Sequence, residues 1–156
     1  MRNSYRKGLS FGLTSGIITT LGLIIGLNSS TSSKTIIFSG ILVIAIADAM
    51  SDAFGIHMSE ESQNLRVKEI WEATISTFIF KFLFALSFII PIYFFQLDLA
   101  VLISIFWGLS LISVFSYYIA KRERKDPVHI ILEHITIAIF VIVLTHLVGK
   151  LSLLVI

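Results

Sequence analysis

The sequence predicts an all-α integral membrane protein of five transmembrane helices, with its N-terminus in the cytoplasm and its C-terminus outside. Three observations predict it. Of 156 residues, 56% are hydrophobic and only 14% charged, with a mean hydropathy of +0.92; a soluble domain of this length needs far more polar surface. Five apolar stretches each approach the roughly 20 residues that a spanning helix requires. The basic residues, finally, cluster in alternate connectors. Two connectors carry only Lys34 between them. The N-terminus holds Arg2, Arg6 and Lys7, the second connector Arg66 and Lys68, and the fourth Lys121, Arg122, Arg124 and Lys125. Positive charge marks the cytoplasmic side, and all four connectors agree. The pI near 9.0 is thus a topology signal rather than a nucleic-acid signal.

The spans run from Leu9 to Leu27, Ile36 to Met58, Thr74 to Phe95, Leu99 to Ala120 and Val128 to Val148, in one transmembrane domain covering residues 1–156. The first resembles a signal peptide in its basic start and apolar core. Its glycines at packing spacing and the lack of an A-x-A cleavage site favour a retained helix. The sequon at Asn28 falls on the outer side, no internal repeat stands out, and cysteine is absent.

Gly8, Gly12 and Gly16 recur every fourth residue, as do Ala45, Ala49 and Ala53 in the second span. Such stripes let helix backbones approach closely in lipid, where no hydrophobic drive brings helices together. Packing within one chain is the plainer reading; a seam between two copies is compatible with it.

The second span also carries the unexpected chemistry. Asp48 and Asp52 are four apart in "ADAMSDAFGIHMSEESQ" and so share a helix face. An aspartate at a span's centre costs about 2.5–3.5 kcal/mol on insertion scales. Such residues face protein, water or a cation, and they commonly mark ion or proton pathways. Paired carboxylates suit hard divalent cations, and crowding favours a shared proton that an arriving cation would release. The alternative is a buried pair bonded to neighbouring hydroxyls.

In the fifth span His129 and Glu133 are four apart and His134 follows. Glu133 is the better candidate ligand, while His129 and His134 read more simply as interfacial residues. Lys81 either pairs with Glu133 or snorkels to the cytoplasmic face. Below the aspartates, His57, Glu60 and Glu61 form an acidic mouth that would concentrate cations; Glu69 beside Arg66 and Lys68 reads as a solvated face. Ser10, Thr14 and Ser51 offer neutral oxygens, and Gly12, Gly16 and Gly55 offer room along the path.

The pattern Gly8-Leu9-Ser10-Phe11-Gly12-Leu13, with Ala47, Ala49, Ser51, Gly55, Ser59, Ser62 and Gln63, and with Pro91 and Gly149-Lys150, resembles the vacuolar iron transporter family over essentially the whole chain. The resemblance implies a dimer with its pore on the dimer axis, export of Fe2+ or Mn2+ from the cytosol and exchange for protons. Three positions depart from the family pattern. Phe11 stands where the first-helix aspartate belongs, Asp52 where the pore methionine belongs, and Ile56 where a glutamate usually follows the glycine. The resulting site is harder, without a thioether. The interval 59–73, expected as a short acidic helical connector, is too brief for the separate metal-collecting domain that relatives often carry.

Two enzyme readings fail on context. The aspartate pair lacks the upstream Asp-Gly and Ala-Arg of a membrane CDP-alcohol phosphotransferase, and no Gly-x-Gly-Asp of an intramembrane aspartyl protease occurs. The remaining alternative is a non-transporting scaffold or sensor subunit with a degenerate transporter fold. The expectation is therefore a dimeric transporter in the plasma or inner membrane, exporting Fe2+-like or Mn2+-like cations against protons. It would hold no tightly bound cofactor, and its metal-contacting residues would be Asp48, Asp52, Glu133, Glu60, Glu61 and His57.

Overall fold

The computed structural model describes residues 3–155; Arg2, counted above in the basic N-terminus, lies outside them. They form α1 (Asn3–Thr31), α2 (Lys34–Glu61), α3 (Val67–Ser87), α4 (Ile89–Phe94), α5 (Leu97–Glu123) and α6 (Pro127–Ser152). Five helices are long and apolar enough to span a membrane, the third being Val67–Phe94, α3 and α4 together. No strand occurs among the described residues. The all-α membrane fold holds.

The helices outrun the apolar stretches that announce them, because hydropathy marks only the part of a helix that fits hydrocarbon. Thus α2 continues to Glu61 and α3 already begins at Val67. The expected helical connector is in fact the ends of two spans joined by a turn, 62–66, with Asn64 in the left-handed region at φ 53°.

The sequence explains most of the other boundaries. Ser33 precedes α2, and its hydroxyl accepts weakly from the Ile36 N–H at 3.4 Å, the usual service of a serine at a helix start. Pro91 has no N–H for the Ser87 carbonyl and its ring crowds that carbonyl, so the third span breaks at Phe88 between α3 and α4. Lys34 donates to the carbonyls of Tyr93 at 3.1 Å and Phe95 at 2.8 Å, a cation where a helix end exposes its carbonyls. Asp126 caps α6 by accepting from the Val128 N–H at 3.0 Å, with Pro127 in the first turn.

The chain forms two compact units. One holds the residues up to Thr20 with Ser39–Ile90, the other Leu21–Phe38 with the residues from Pro91 on. In the first unit, α1 and α3 touch backbone to backbone. A Cβ on Gly8 would sit 2.4 Å from the Ala73 carbonyl, one on Gly12 2.6 Å from the Thr77 carbonyl, and one on Gly16 3.0 Å from the Lys81 carbonyl. The contacts advance in step along both helices, four residues at a time. The glycine stripe is therefore an intramolecular seam, and its partner is α3 rather than α2. The Ala45, Ala49 and Ala53 stripe, continuous with Ile37 and Ile41, is buried as well.

In the second unit, Gly22 and Gly26 of α1 pack on Thr145 of α6, and Gly149 lies so close to the Gly26 carbonyl that a Cβ there would approach to 2.4 Å. Helix α5 packs on α6. Many hydroxyls in both units return to their own helices, as Thr20 does to Gly16, Thr77 to Ala73 and Ser104 to Ala100. This satisfies polar groups that lipid cannot.

Candidate functional site

Asp48 and Asp52 lie on α2 at the border between its buried alanine stripe and its exposed face, with side chains 27% and 21% exposed. Facing them is Lys81 of α3, whose side chain is 1% exposed. Its ammonium donates to Asp52 Oδ2 and to Ser15 Oγ of α1 at 2.9 Å. It lies 2.5 Å from Asp48 Oδ2, outside hydrogen-bonding alignment, so that contact is one of charge rather than of a directed bond. Ser15 in turn donates to Asp52 Oδ2 at 2.7 Å. Three helices thus meet through a carboxylate pair, one ammonium and one hydroxyl. Two carboxylates against one ammonium leave one negative charge in excess.

Local sequence makes this geometry. The four-residue spacing of the aspartates keeps both on one face, and Gly16 lets α1 approach the Lys81 backbone itself. Lys81 neither pairs with Glu133 nor snorkels, the two roles expected of it. A lysine well inside an apolar segment is costly to bury unpaired, and the aspartates are in reach. The sequence signal was present, since "STFIFKFLFAL" contains one charge, but the strand-like run of apolar neighbours gives no clue to its partner.

The acidic cluster expected as a cation-gathering mouth also differs from expectation. Glu60 is 3% exposed and bonded to Lys7 at 3.0 Å; it is a buried pairing residue that ties α1 to α2, not an open collector of cations. Thr74 gives its proton to the Ile70 carbonyl, so His57 Nδ1, 3.0 Å away, must be the donor to Thr74 Oγ1. The His57 ring also meets Trp71 edge-on. Glu61 stays exposed, and Arg66 pairs with Glu69 at 2.7 Å on a solvated face.

Glu133 and His129 belong to the second unit, where both are exposed on α6. His134 is not an interfacial residue of the plain kind: its Nδ1 lies 2.7 Å from buried Ser116, whose proton goes to the Ile112 carbonyl. Among the described residues, no three of His, Cys, Asp and Glu gather as a group able to hold a metal ion. Of the expected ligands, Asp48 and Asp52 are the two that share one cationic partner, Lys81. Thr14 turns its hydroxyl to its own helix, on Ser10, while Ser10 is half-buried and Ser51 exposed.

One further pattern emerges on α2. Ala47, Ser51, Gly55 and Ser59 form an exposed small-residue stripe beside the aspartates, distinct from the buried alanines. A Cβ on Gly55 would meet nothing within 4 Å, so no contact within the chain accounts for that glycine.

Fold and site together define a five-span helical membrane protein with an Asp–Lys–Asp cluster formed around a buried lysine. The chain matches no protein-family model, no curated protein and no solved structure.

Proposed function

We propose that this protein is a cation transporter that exports a divalent ion of the Fe2+ or Mn2+ kind from the cytosol in exchange for protons. The observation that carries the reading is the Asp48–Asp52 pair, held over a fully buried ammonium in a membrane-spanning unit. Intramembrane carboxylates mark ion pathways, and hard oxygen donors suit these cations. The choice of metal and the outward direction rest on the family resemblance.

A second copy of the chain fits the reading. Two partly exposed carboxylates beside an exposed small-residue stripe are poorly placed against lipid, and helices approach closely at such stripes. The basic connectors favour a cytoplasmic N-terminus, and the reading sets the protein in a plasma or inner membrane.

Lys81 also favours a second reading, a scaffold or sensor subunit that transports nothing. The ammonium gives the aspartates a structural partner, so their presence no longer demands a cargo. Flux decides between the two. Purified protein in liposomes, offered Fe2+ and Mn2+ with and without a pH gradient, should show gradient-dependent flux that Asp52→Asn abolishes. Absence of flux with a well-folded wild-type protein would sink the transporter reading and leave the scaffold.

A further inference from the structure

We propose that Lys81 is the selectivity determinant of the aspartate pair, a tethered cation that excludes monovalent ions and yields only to a divalent one. The inference rests on the transporter reading and assigns its charge discrimination to one side chain. The ammonium donates to Asp52 and to Ser15 and lies in charge contact with Asp48. The root of the side chain is fixed as well. Gly16 brings the α1 backbone against the Lys81 carbonyl and Cα, where a Cβ would lie 3.0 and 3.2 Å away. An ammonium anchored in this way competes at the high effective concentration of any tethered group.

Sodium or potassium carries the same single charge as the ammonium. It gains no larger Coulomb attraction from the two carboxylates, and it must first leave bulk water. Against a tethered rival of equal charge it loses. A divalent ion doubles the attraction at the same distance and can displace the ammonium from between the carboxylates. Ser15 holds Lys81 and Asp52 together, which makes the plug a three-helix assembly rather than a floppy side chain.

The test reads stabilisation by ligand, which is independent of flux. Melting temperatures of the purified protein in detergent are compared in sodium, potassium and choline chlorides at equal ionic strength, and with Mn2+ added. Wild type should melt alike in the three monovalent salts and be raised by Mn2+. Lys81→Gln, with its carboxylates unplugged, should be raised by sodium or potassium relative to choline and should respond to about tenfold lower Mn2+. Lys81→Arg keeps a charge in place and should stay indifferent to sodium while needing more Mn2+ than wild type. Should Lys81→Gln not fold, the arginine variant decides alone: an Mn2+ requirement equal to or below that of wild type overturns the proposal. Indifference of a folded Lys81→Gln to sodium and potassium, or stabilisation of wild type by either, overturns it too. If Mn2+ stabilises wild type while these arms fail, only Lys81's role falls; if Mn2+ stabilises no variant, the transporter reading falls with it.

Discussion

The two units of this chain differ in whether they bury charge. The first buries charge: Lys81 and Glu60 are almost wholly enclosed and each finds an ionic partner on another helix. Both units bury hydroxyls turned to carbonyls of their own helices, Thr20 and Thr77 in the first and Ser104 and Ser116 in the second, but among the described residues the second buries no charged side chain. Charges whose partners lie on other helices couple those helices to one another; in the second unit a neutral hydrogen bond, His134 to Ser116, links α5 and α6. The first unit is therefore the one whose helices cannot shift without rearranging ion pairs.

The contrast can be broken most severely at Lys81. Lys81→Ala leaves two buried-edge carboxylates without their cation, and breaking such a pair costs about 3–5 kcal/mol. Adding Asp48→Asn and Asp52→Asn to Lys81→Ala should recover a good part of that loss, as read by chemical or thermal denaturation in detergent. A triple variant as unstable as the single one would show that the lysine stem, not its charge, is what the unit needs. Next comes the backbone seam. Gly12→Ala forces a methyl against the Thr77 carbonyl, and overpacking of this kind costs about 1–3 kcal/mol. The same methyl at Gly55 meets nothing in the chain, so Gly55→Ala should stabilise the isolated protomer by up to about 1 kcal/mol. If a second copy approaches α2 there, the substitution should at the same time shift crosslinked dimer towards monomer. In the second unit, Ser116→Ala removes the acceptor of His134 and should cost about 1 kcal/mol, measured as a fall in melting temperature. A loss as large as that of Lys81→Ala would erase the distinction between the units.

Much of this was legible in the residues. The spans follow from apolar runs of sufficient length, and the break in the third is explained by Pro91. The four-residue rhythm of Gly8, Gly12 and Gly16 announced close packing, yet not its partner; a helix shows its small face equally to whichever neighbour the fold supplies. Asp48 and Asp52 stood out through their cost in lipid, and Lys81 through its isolation among phenylalanines. What joined them was not readable, because pairing depends on which faces α2 and α3 turn to each other. Glu60 misled for a related reason. A glutamate near a helix end reads as solvated, yet Glu60 is buried and bonded to Lys7 across the α1–α2 contact.

The turn at 62–66 has a practical and an evolutionary bearing. It is exposed apart from half-buried Leu65. It contributes no ion pair to the Asp–Lys–Asp cluster, and its reversal is absorbed by a single left-handed residue, Asn64. Exposed tips of this kind tolerate inserted sequence, and loop closure grows costlier only slowly with length. This is the joint at which a whole extra domain can be spliced into, or lost from, such a bundle while the helices on either side keep their register. A fluorescent reporter placed there would ride on the turn between the ends of α2 and α3, outside the apolar stretches.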